Sequence, residues 1–571
     1  MRHNAASIAS AIISLSLVSI ARADDLSVAD IRAVHRHGQT FVTWRDGAEG
    51  EAGANYRYAL YRSDRPITRE NLAQAECCAR GILNNSAKLF GSAFFMQDRL
   101  DPEKPYSVIE EGAEPLPPWS GLAVHTAREP ARAYYAVVVT DADHKPLGRV
   151  VPGRSATIEP VEEQPAPIRP IKIHDSTERA AAARTSITGA RGLPMQITLH
   201  GSSGRGGDAG ATGDCYLYFG NRDLGYRDGL PGVFSVSEFR GNPENRLLLR
   251  PRDALEHPNG NRAMETYWFG YWCVPQWADH QDSRVYPFTE NQLLWMIRWS
   301  IEKYGADPQR ITMRGSSSGG VGSWNVGLRH PELFAAIYPV VGRVRRVPAV
   351  ALEGRLDRNA PAVMADGTTS YHDHVDGPRF VAGHPGDLPF VGWCCGRHDG
   401  WTTWPENIDM VQALTAGHHG FAFSWNNGNH GGGGAAGRLI TQYYPPEKFA
   451  RDRGYPTFGN SSIDGDMGNG DPADGDLVGG INLGFDWKDV SETDYEWQAT
   501  LSNELAEAEM TVDVTPRRCA KFHPSPGEKV TWTNTAGGSG EATTDPHGLI
   551  TIPAVRIAPK EGTTLTIVRR K

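Results

Sequence analysis

The chain has 571 residues and a formal net charge of −9, long enough for two or three hydrophobic cores and too acidic for nucleic acid to be its main partner. Apolar residues make up 39% of it and aromatic residues 9%, which excludes a disordered or collagen-like chain. Its seven cysteines (Cys77, Cys78, Cys215, Cys273, Cys394, Cys395 and Cys519) match no metal-ligand spacing, and their odd number leaves at least one thiol free unless it pairs between chains.

Residues 1–23 read as a secretory signal peptide. Arg2 and His3 are followed by an apolar run centred on Ile12, Ile13, Leu15, Leu17, Val18 and Ile20, and then by the cleavage pattern Ala21, Arg22, Ala23. The mature chain is then expected to begin near Asp24 and to be secreted or periplasmic, with a net charge near −11 once Arg2 and Arg22 are removed. No later apolar run is long enough to span a bilayer, so no membrane span is expected.

Residues 24–158 read as β-structure. The segments at 28–36, 39–45, 56–62 and 133–140 alternate apolar with polar residues and are rich in β-branched and aromatic types. The early tryptophan, Trp44, and the late Tyr-rich strand resemble a fibronectin type III β-sandwich, in which 77–118 is a long insertion. Residues 159–172 are proline-rich and read as a semi-rigid linker.

From 173 to about 460, apolar strands alternate with helical patterns, as in a mostly parallel sheet flanked by helices. Residues 195–199 are a strand running into His200, Gly201, Ser202, Ser203 and Gly204. Either this loop is an ordinary glycine turn, or the backbone N–H of Ser202 serves an oxyanion hole. Thr289 and Gln292 form a capping box for a helix whose apolar residues Leu293, Leu294, Ile297, Ile301 and Tyr304 precede Gly305. Residues 310–314 are the next strand.

Gly315, Ser316, Ser317, Ser318 and Gly319 follow that strand and precede a helical segment at 321–329. G-x-S-x-G alone is a weak signal in a glycine-rich chain, but between strand and helix it has the context of a nucleophile elbow. Side chains two residues either side of the serine would collide, hence Gly315 and Gly319. Ser317 is the candidate nucleophile, with the N–H of Ser318 paired with that of Ser202, about 115 residues upstream of the serine.

An acid and then a histidine must follow. Residues 388–396 read as a buried strand running into a loop that carries Asp399, and a helical segment occupies about 405–416. A strand at 420–425 precedes His430 and a glycine run. Asp399 would orient His430, which would take the proton of Ser317. His398 comes too early, His418 and His419 precede the last strand, and Asp409 lies within the helix. Cys394 and Cys395 read equally as a loop-stiffening disulfide or as buried thiols.

These four pieces resemble the α/β-hydrolase superfamily, and more closely the feruloyl esterase and polyhydroxybutyrate depolymerase sort and prolyl-oligopeptidase-type catalytic domains. The resemblance covers about half the chain. It implies a metal-free, cofactor-free acyl transfer through a Ser-Asp-His acyl-enzyme, although Ser316 and Ser318 stand where relatives often carry larger residues. The partner is then an ester, and a polymeric or polymer-linked one by analogy with enzymes that carry accessory β-modules. A peptidase and a non-catalytic carbohydrate-binding or adhesive protein are the alternatives. The first is disfavoured because 24–158 is too short for a β-propeller, the second because the serine, acid and histidine order is complete. Trp268, Trp272, Trp401 and Trp404 are candidate substrate contacts, though such clusters also build cores.

Residues 461–477 hold Asp464, Asp466, Asp471, Asp474 and Asp476 within thirteen residues. This segment is expected as a solvated linker, with calcium binding the lesser reading because it lacks the EF-hand glutamate. Residues 478–571, with short alternating segments at 509–514, 529–533, 549–552 and 564–568, are expected to form a small all-β C-terminal domain.

Overall fold

A computed structural model describes residues 26–172, 187, 191–199, 214–272, 284–345 and 362–570, with gaps at 54, 89–106, 111–112, 142, 220–230, 240–243, 252–254, 257–262, 265 and 560–561. The signal segment, the loop at 200–204 with Ser202, and Cys273 lie outside the described residues.

Near the N-terminus, one antiparallel sheet has the order Ala29–Arg36, Gln39–Arg45, Ser120–Thr126. A second has the order Glu76–Leu83, Arg57–Ser63, Ala131–Thr140, Val161–Glu163. Alternate residues of the strands (Val42 and Trp44, Tyr58 and Leu60, Tyr135, Val137 and Val139) meet in one core, as the two-residue period of a strand requires. The turn at His37 and Gly38 takes φ of 47° and 76°, the left-handed pair that a two-residue hairpin needs. The segment from 77, expected as an insertion, supplies the outer part of the second sheet, since Glu76–Leu83 pairs with Arg57–Ser63.

The proline-rich stretch 159–172 is taken up by sheets at both ends. Glu163 is fully buried and accepts from Thr40 Oγ1 at 2.7 Å, from Arg62 Nη2 at 2.7 Å and from the Tyr135 hydroxyl. Ile171 and Lys172 pair with Leu217 and Tyr216 at the edge of the central sheet.

That sheet has ten strands in the order Gly479–Ile481, Phe421–Asn426, Phe390–Gly396, Ala336–Val340, Ile311–Ser316, Met195–Leu199, Arg246–Pro251, Pro231–Phe239, Asp214–Phe219, Ile171–Lys172. The strands from Phe421–Asn426 to Arg246–Pro251 are parallel, and antiparallel strands flank them. After Met195–Leu199 the next strand of the sheet is Asp214–Phe219, three places away; the chain comes back through Pro231–Phe239 to Arg246–Pro251 beside Met195–Leu199, then crosses to Ile311–Ser316 on its other side. The strand order therefore reverses between the two middle strands, and at such a switch point the carboxyl ends of the strands leave a crevice.

The helix Phe288–Tyr304 packs Leu293, Leu294, Met296 and Ile297 into the main core. It ends at Gly305, whose φ is 63° and whose N–H reaches the Ile301 carbonyl. The expected capping box is not used: Pro287 is the N-cap, the helix starts one residue before Thr289, and the Thr289 hydroxyl bonds Thr266 instead.

Two further sheets close the chain. Tyr455–Gly459, Met510–Arg517 and Ile552–Ile557 form one. Phe485–Glu492, Glu496–Asn503, Thr563–Arg569, Lys529–Asn534 and Ser539–Thr543 form the other. They share a core with the central unit, because Trp497, Val512 and Ile557 cluster with Tyr338, Phe390 and Tyr444. Two buried arginines add polar fasteners. Arg518 donates to the carbonyls of Phe334 (3.1 Å) and Leu388 (3.0 Å), and Arg517 donates to Gly386 O at 2.7 Å and His419 Nδ1 at 3.2 Å.

Burial and the neighbouring Arg517 push the His419 imidazole down to about 3. Because its folded value lies below the ordinary one, the unfolded chain binds the proton first, so this contribution is complete at neutral pH and is lost as pH falls from about 6.5 toward 3. His419→Gln should therefore lose less Tm than the parent between pH 7.5 and pH 4.5, as read by thermal denaturation.

Candidate active site

The turn after Ile311–Ser316 puts Ser317 at φ 55° and ψ −117°, a strained conformation that costs about 1–3 kcal/mol for a non-glycine residue. It persists because the surroundings dictate it. Ser317 N–H donates to Val340 O at 2.9 Å, and Val321 N–H closes the first helical turn onto Ser317 O at 3.0 Å. A Cβ on Gly315 would lie 2.0 Å from Gly319 O, and one on Gly319 would lie 2.3 Å from Leu199 O. Both glycines are thus required by contact, and the turn sits against the end of Met195–Leu199, at the switch point. The helix Ser318–Arg329 begins at once. The N–H of Ser318 is among the first-turn groups that have no intrahelical acceptor.

Asp399 follows Phe390–Gly396, and His430 follows Phe421–Asn426. His430 Nε2 lies 2.9 Å from Ser317 Oγ, and Nδ1 lies 2.7 Å from Asp399 Oδ2. The aspartate side chain is fully buried, the histidine 36% exposed, so one group is shielded while the other reaches the crevice. Asp399 Oδ1 accepts the N–H groups of Trp401 (2.8 Å) and Thr402 (3.0 Å), and Oδ2 also accepts the Thr402 hydroxyl. With Nδ1–H given to this carboxylate, Nε2 is left as an acceptor for the serine hydroxyl.

The glycine run after His430 has a steric cause. A Cβ on Gly433 would lie 2.3 Å from Gly396 N, and one on Gly396 would lie 2.3 Å from Gly428 O. Backbone contact between the two loops is what brings the imidazole to the carboxylate.

His398 is exposed and His419 is buried away from the serine beside Arg517. Asp409 lies in the helix Trp404–Ala416 and pairs with Arg345. Cys394 and Cys395 are free buried thiols rather than a disulfide, and burial pushes them up to about 11 and about 12. Cys395 Sγ lies 3.1 Å from Thr402 Oγ1, behind the acid loop.

Two candidate substrate tryptophans are core residues. Trp268 is 2% exposed and Trp404 2%. The Trp268 indole lies where a Gly322 side chain would go, and Trp404 packs on Phe423 and Trp425. The Trp272 side chain lies outside the described residues. Trp401 is half-buried, with its ring centroid 5.1 Å from that of His430 and edge-on to it. Tyr267 opens the same aromatic run as Trp268 and Trp272, and it, rather than either tryptophan, stacks on Trp401, at 6.2 Å with a 25° interplanar angle. Tyr267 and Trp268 hold consecutive positive φ values of 54° and 65°, a feature without a sequence signature.

No family model matches the chain. Acetylxylan esterase A of Aspergillus awamori is 29% identical over 136 residues, which are 24% of this chain and 44% of that protein. The chain thus spans less than half the length of the curated relative it matches. Among solved structures it is similar to a ferulic acid esterase, with 17% identity, 46% of this chain and 86% of that chain covered, and a TM-score of 0.27. It is also similar to a candidate dipeptidyl aminopeptidase IV of Bacteroides ovatus, with 12% identity, 73% and 57% covered, and a TM-score of 0.29. No helix among the described residues is long and apolar enough to cross a membrane. A mainly parallel sheet, a strained serine turn at its switch point, and an acid and a histidine after the next strands but one and two give the central unit of this chain the α/β-hydrolase fold.

Proposed function

We propose that the chain is a serine hydrolase of carboxylic esters, with Ser317 as nucleophile, His430 as base and Asp399 as orienting acid. The observation that carries this reading is the hydrogen-bonded series Ser317 Oγ, His430 and Asp399 on the strained turn. His430 Nε2 takes the serine proton as Oγ attacks the ester carbonyl, and the imidazolium faces a buried carboxylate. The tetrahedral oxyanion is received by the N–H of Ser318, with that of Ser202 as the second donor. The imidazolium then protonates the leaving alcohol, and water, activated by the same nitrogen, releases the acid.

The stacked pair Tyr267 and Trp401 beside His430 supports a planar aromatic or sugar ring near the scissile bond. The three- and four-stranded N-terminal sheets support a fibronectin III-like module, and such a module with an exported chain fits a polymeric or polymer-linked ester. A panel of p-nitrophenyl esters against aminoacyl p-nitroanilides tests the reading: ester turnover is expected, and turnover of the anilides alone would replace it with a peptidase.

EDTA should leave ester turnover unchanged. Serine, imidazole, carboxylate and backbone N–H groups already supply nucleophile, base, orientation and electrophile. Loss of turnover on chelation, at a temperature where circular dichroism shows the fold intact, would show that this inventory is incomplete.

A further inference from the structure

The Asp- and Gly-rich segment 464–476 looks by composition like an oxygen cage for a divalent cation or a solvated linker. Four of its five carboxylates accept from its own backbone, and Asp464 accepts from Ser461 and Asn482 on either side of it. Asp466 accepts from Gly468 N–H at 2.9 Å, Asp471 from Ala473 at 2.9 Å, Asp474 from Asn469 at 2.9 Å and Asp476 from Asp466 at 2.8 Å. Among the described residues, no three acidic, histidine or cysteine side chains converge to hold a metal.

A cation does occupy the segment, and it belongs to the chain. Arg397 is 1% exposed. Its Nε donates to Pro472 O at 2.9 Å, Nη2 to Asp471 O at 3.1 Å and to Asp474 O, and Nη1 to Asp476 O. Its guanidinium carbon lies 4.7 Å from the centre of the Trp404 ring. A guanidinium keeps its charge in proteins, and burying a charge costs several kcal/mol unless its donors are satisfied. Here backbone carbonyls and an aromatic face provide that satisfaction.

The attachments bracket the site. Arg397 is the residue after Phe390–Gly396, and Trp404 opens the next helix, so Asp399 lies between them. The Trp404 indole donates to Met467 O at 3.0 Å, and the Trp425 indole, on the strand that leads to His430, donates to Asp476 O at 2.8 Å. Glycines allow the close fit: a Cβ on Gly479 would lie 2.4 Å from the Trp425 ring.

We propose that residues 464–476 form a strap closed around Arg397, which holds the acid loop and the histidine strand in register, so that Arg397 is a positioning residue for Asp399 and His430. This rests on the assignment of the serine, histidine and aspartate above. The strap acts on catalysis because a misplacement of about 1 Å at a catalytic group costs about 10²-fold in rate.

Arg397→Ala in the full chain should lower kcat about 10- to 100-fold with KM changed little, measured below the variant's own unfolding temperature. Guanidinium chloride at a non-denaturing concentration should restore part of the loss, and calcium chloride should not. Trp404→Phe, which removes the indole donor to Met467 and part of the ring beside Arg397, should lower kcat in the same sense and guards against a variant that fails to fold. Unchanged kcat in both variants, with or without a fall in Tm, would overturn the proposal, as would recovery by calcium alone. Retained turnover in Ser317→Ala would instead remove the underlying reading, and is measured separately.

Discussion

Ser317→Ala should abolish ester turnover and fluorophosphonate labelling while the protein stays folded. Removing the nucleophile of such a triad costs about 10⁴–10⁶ in turnover, leaving what binding and the oxyanion donors supply. The fold should survive because the bonds that impose the turn are backbone bonds, from Ser317 N–H to Val340 O and from Val321 N–H to Ser317 O. Alanine keeps both, and among the described residues the only side-chain bond lost is the one from Oγ to His430 Nε2. Activity, intact-mass labelling and circular dichroism on one preparation check the three parts together. Labelling at the parent rate would move the nucleophile elsewhere.

Asp399→Asn should cost about 10⁴ in kcat with almost no change in shape, the size of effect expected when the imidazole is held in the wrong tautomer. The direction follows from the donors around the carboxylate. Oδ1 receives two backbone N–H groups, from Trp401 and Thr402, so an asparagine must put its carbonyl oxygen there. Its NH₂ then faces His430 Nδ1, where Oδ2 now accepts. Nδ1 becomes an acceptor, Nε2 carries the proton, and the imidazole can no longer take one from Ser317. The Thr402 hydroxyl, which now donates to Oδ2, can rotate to accept from the new amide. Loss of kcat with an unchanged Tm and a normal crystal or NMR fingerprint is the expected pattern; parent-level kcat would show that Asp399 does not orient the base.

Much of the central unit is legible in the sequence because its signals are local. The elbow needs glycines at 315 and 319 whatever the rest of the chain does, and strand and helix periods place Ser317 between Ile311–Ser316 and Ser318–Arg329. The order of serine, acid and histidine follows from the alternation of strands and helices, so Asp399 and His430 can be picked out from His398, His418, His419 and Asp409. The N-terminal strands were legible for the same reason: two-residue alternation around Trp44 and Tyr135 is a property of each segment alone.

Other features are decided by contacts between residues far apart in sequence. A tryptophan in an aromatic cluster reads the same whether it faces a crevice or a core, and only packing sets Trp401 apart from Trp268 and Trp404. The partner Tyr267 lies more than a hundred residues away and holds a backbone conformation that no residue type announces. The boundaries of the parts were equally hidden. Glu163 leaves a proline-rich stretch because a half-buried arginine and a buried tyrosine and threonine wait for it, and Tyr455–Gly459 leaves the central unit to pair with Met510–Arg517. The Asp-rich segment shows the limit most plainly. Composition counts carboxylates and suggests solvent or a metal. Four of those carboxylates accept N–H groups of their own loop, and tertiary structure lays the loop's carbonyls around Arg397, because a buried guanidinium must be satisfied by whatever oxygen the fold brings to it.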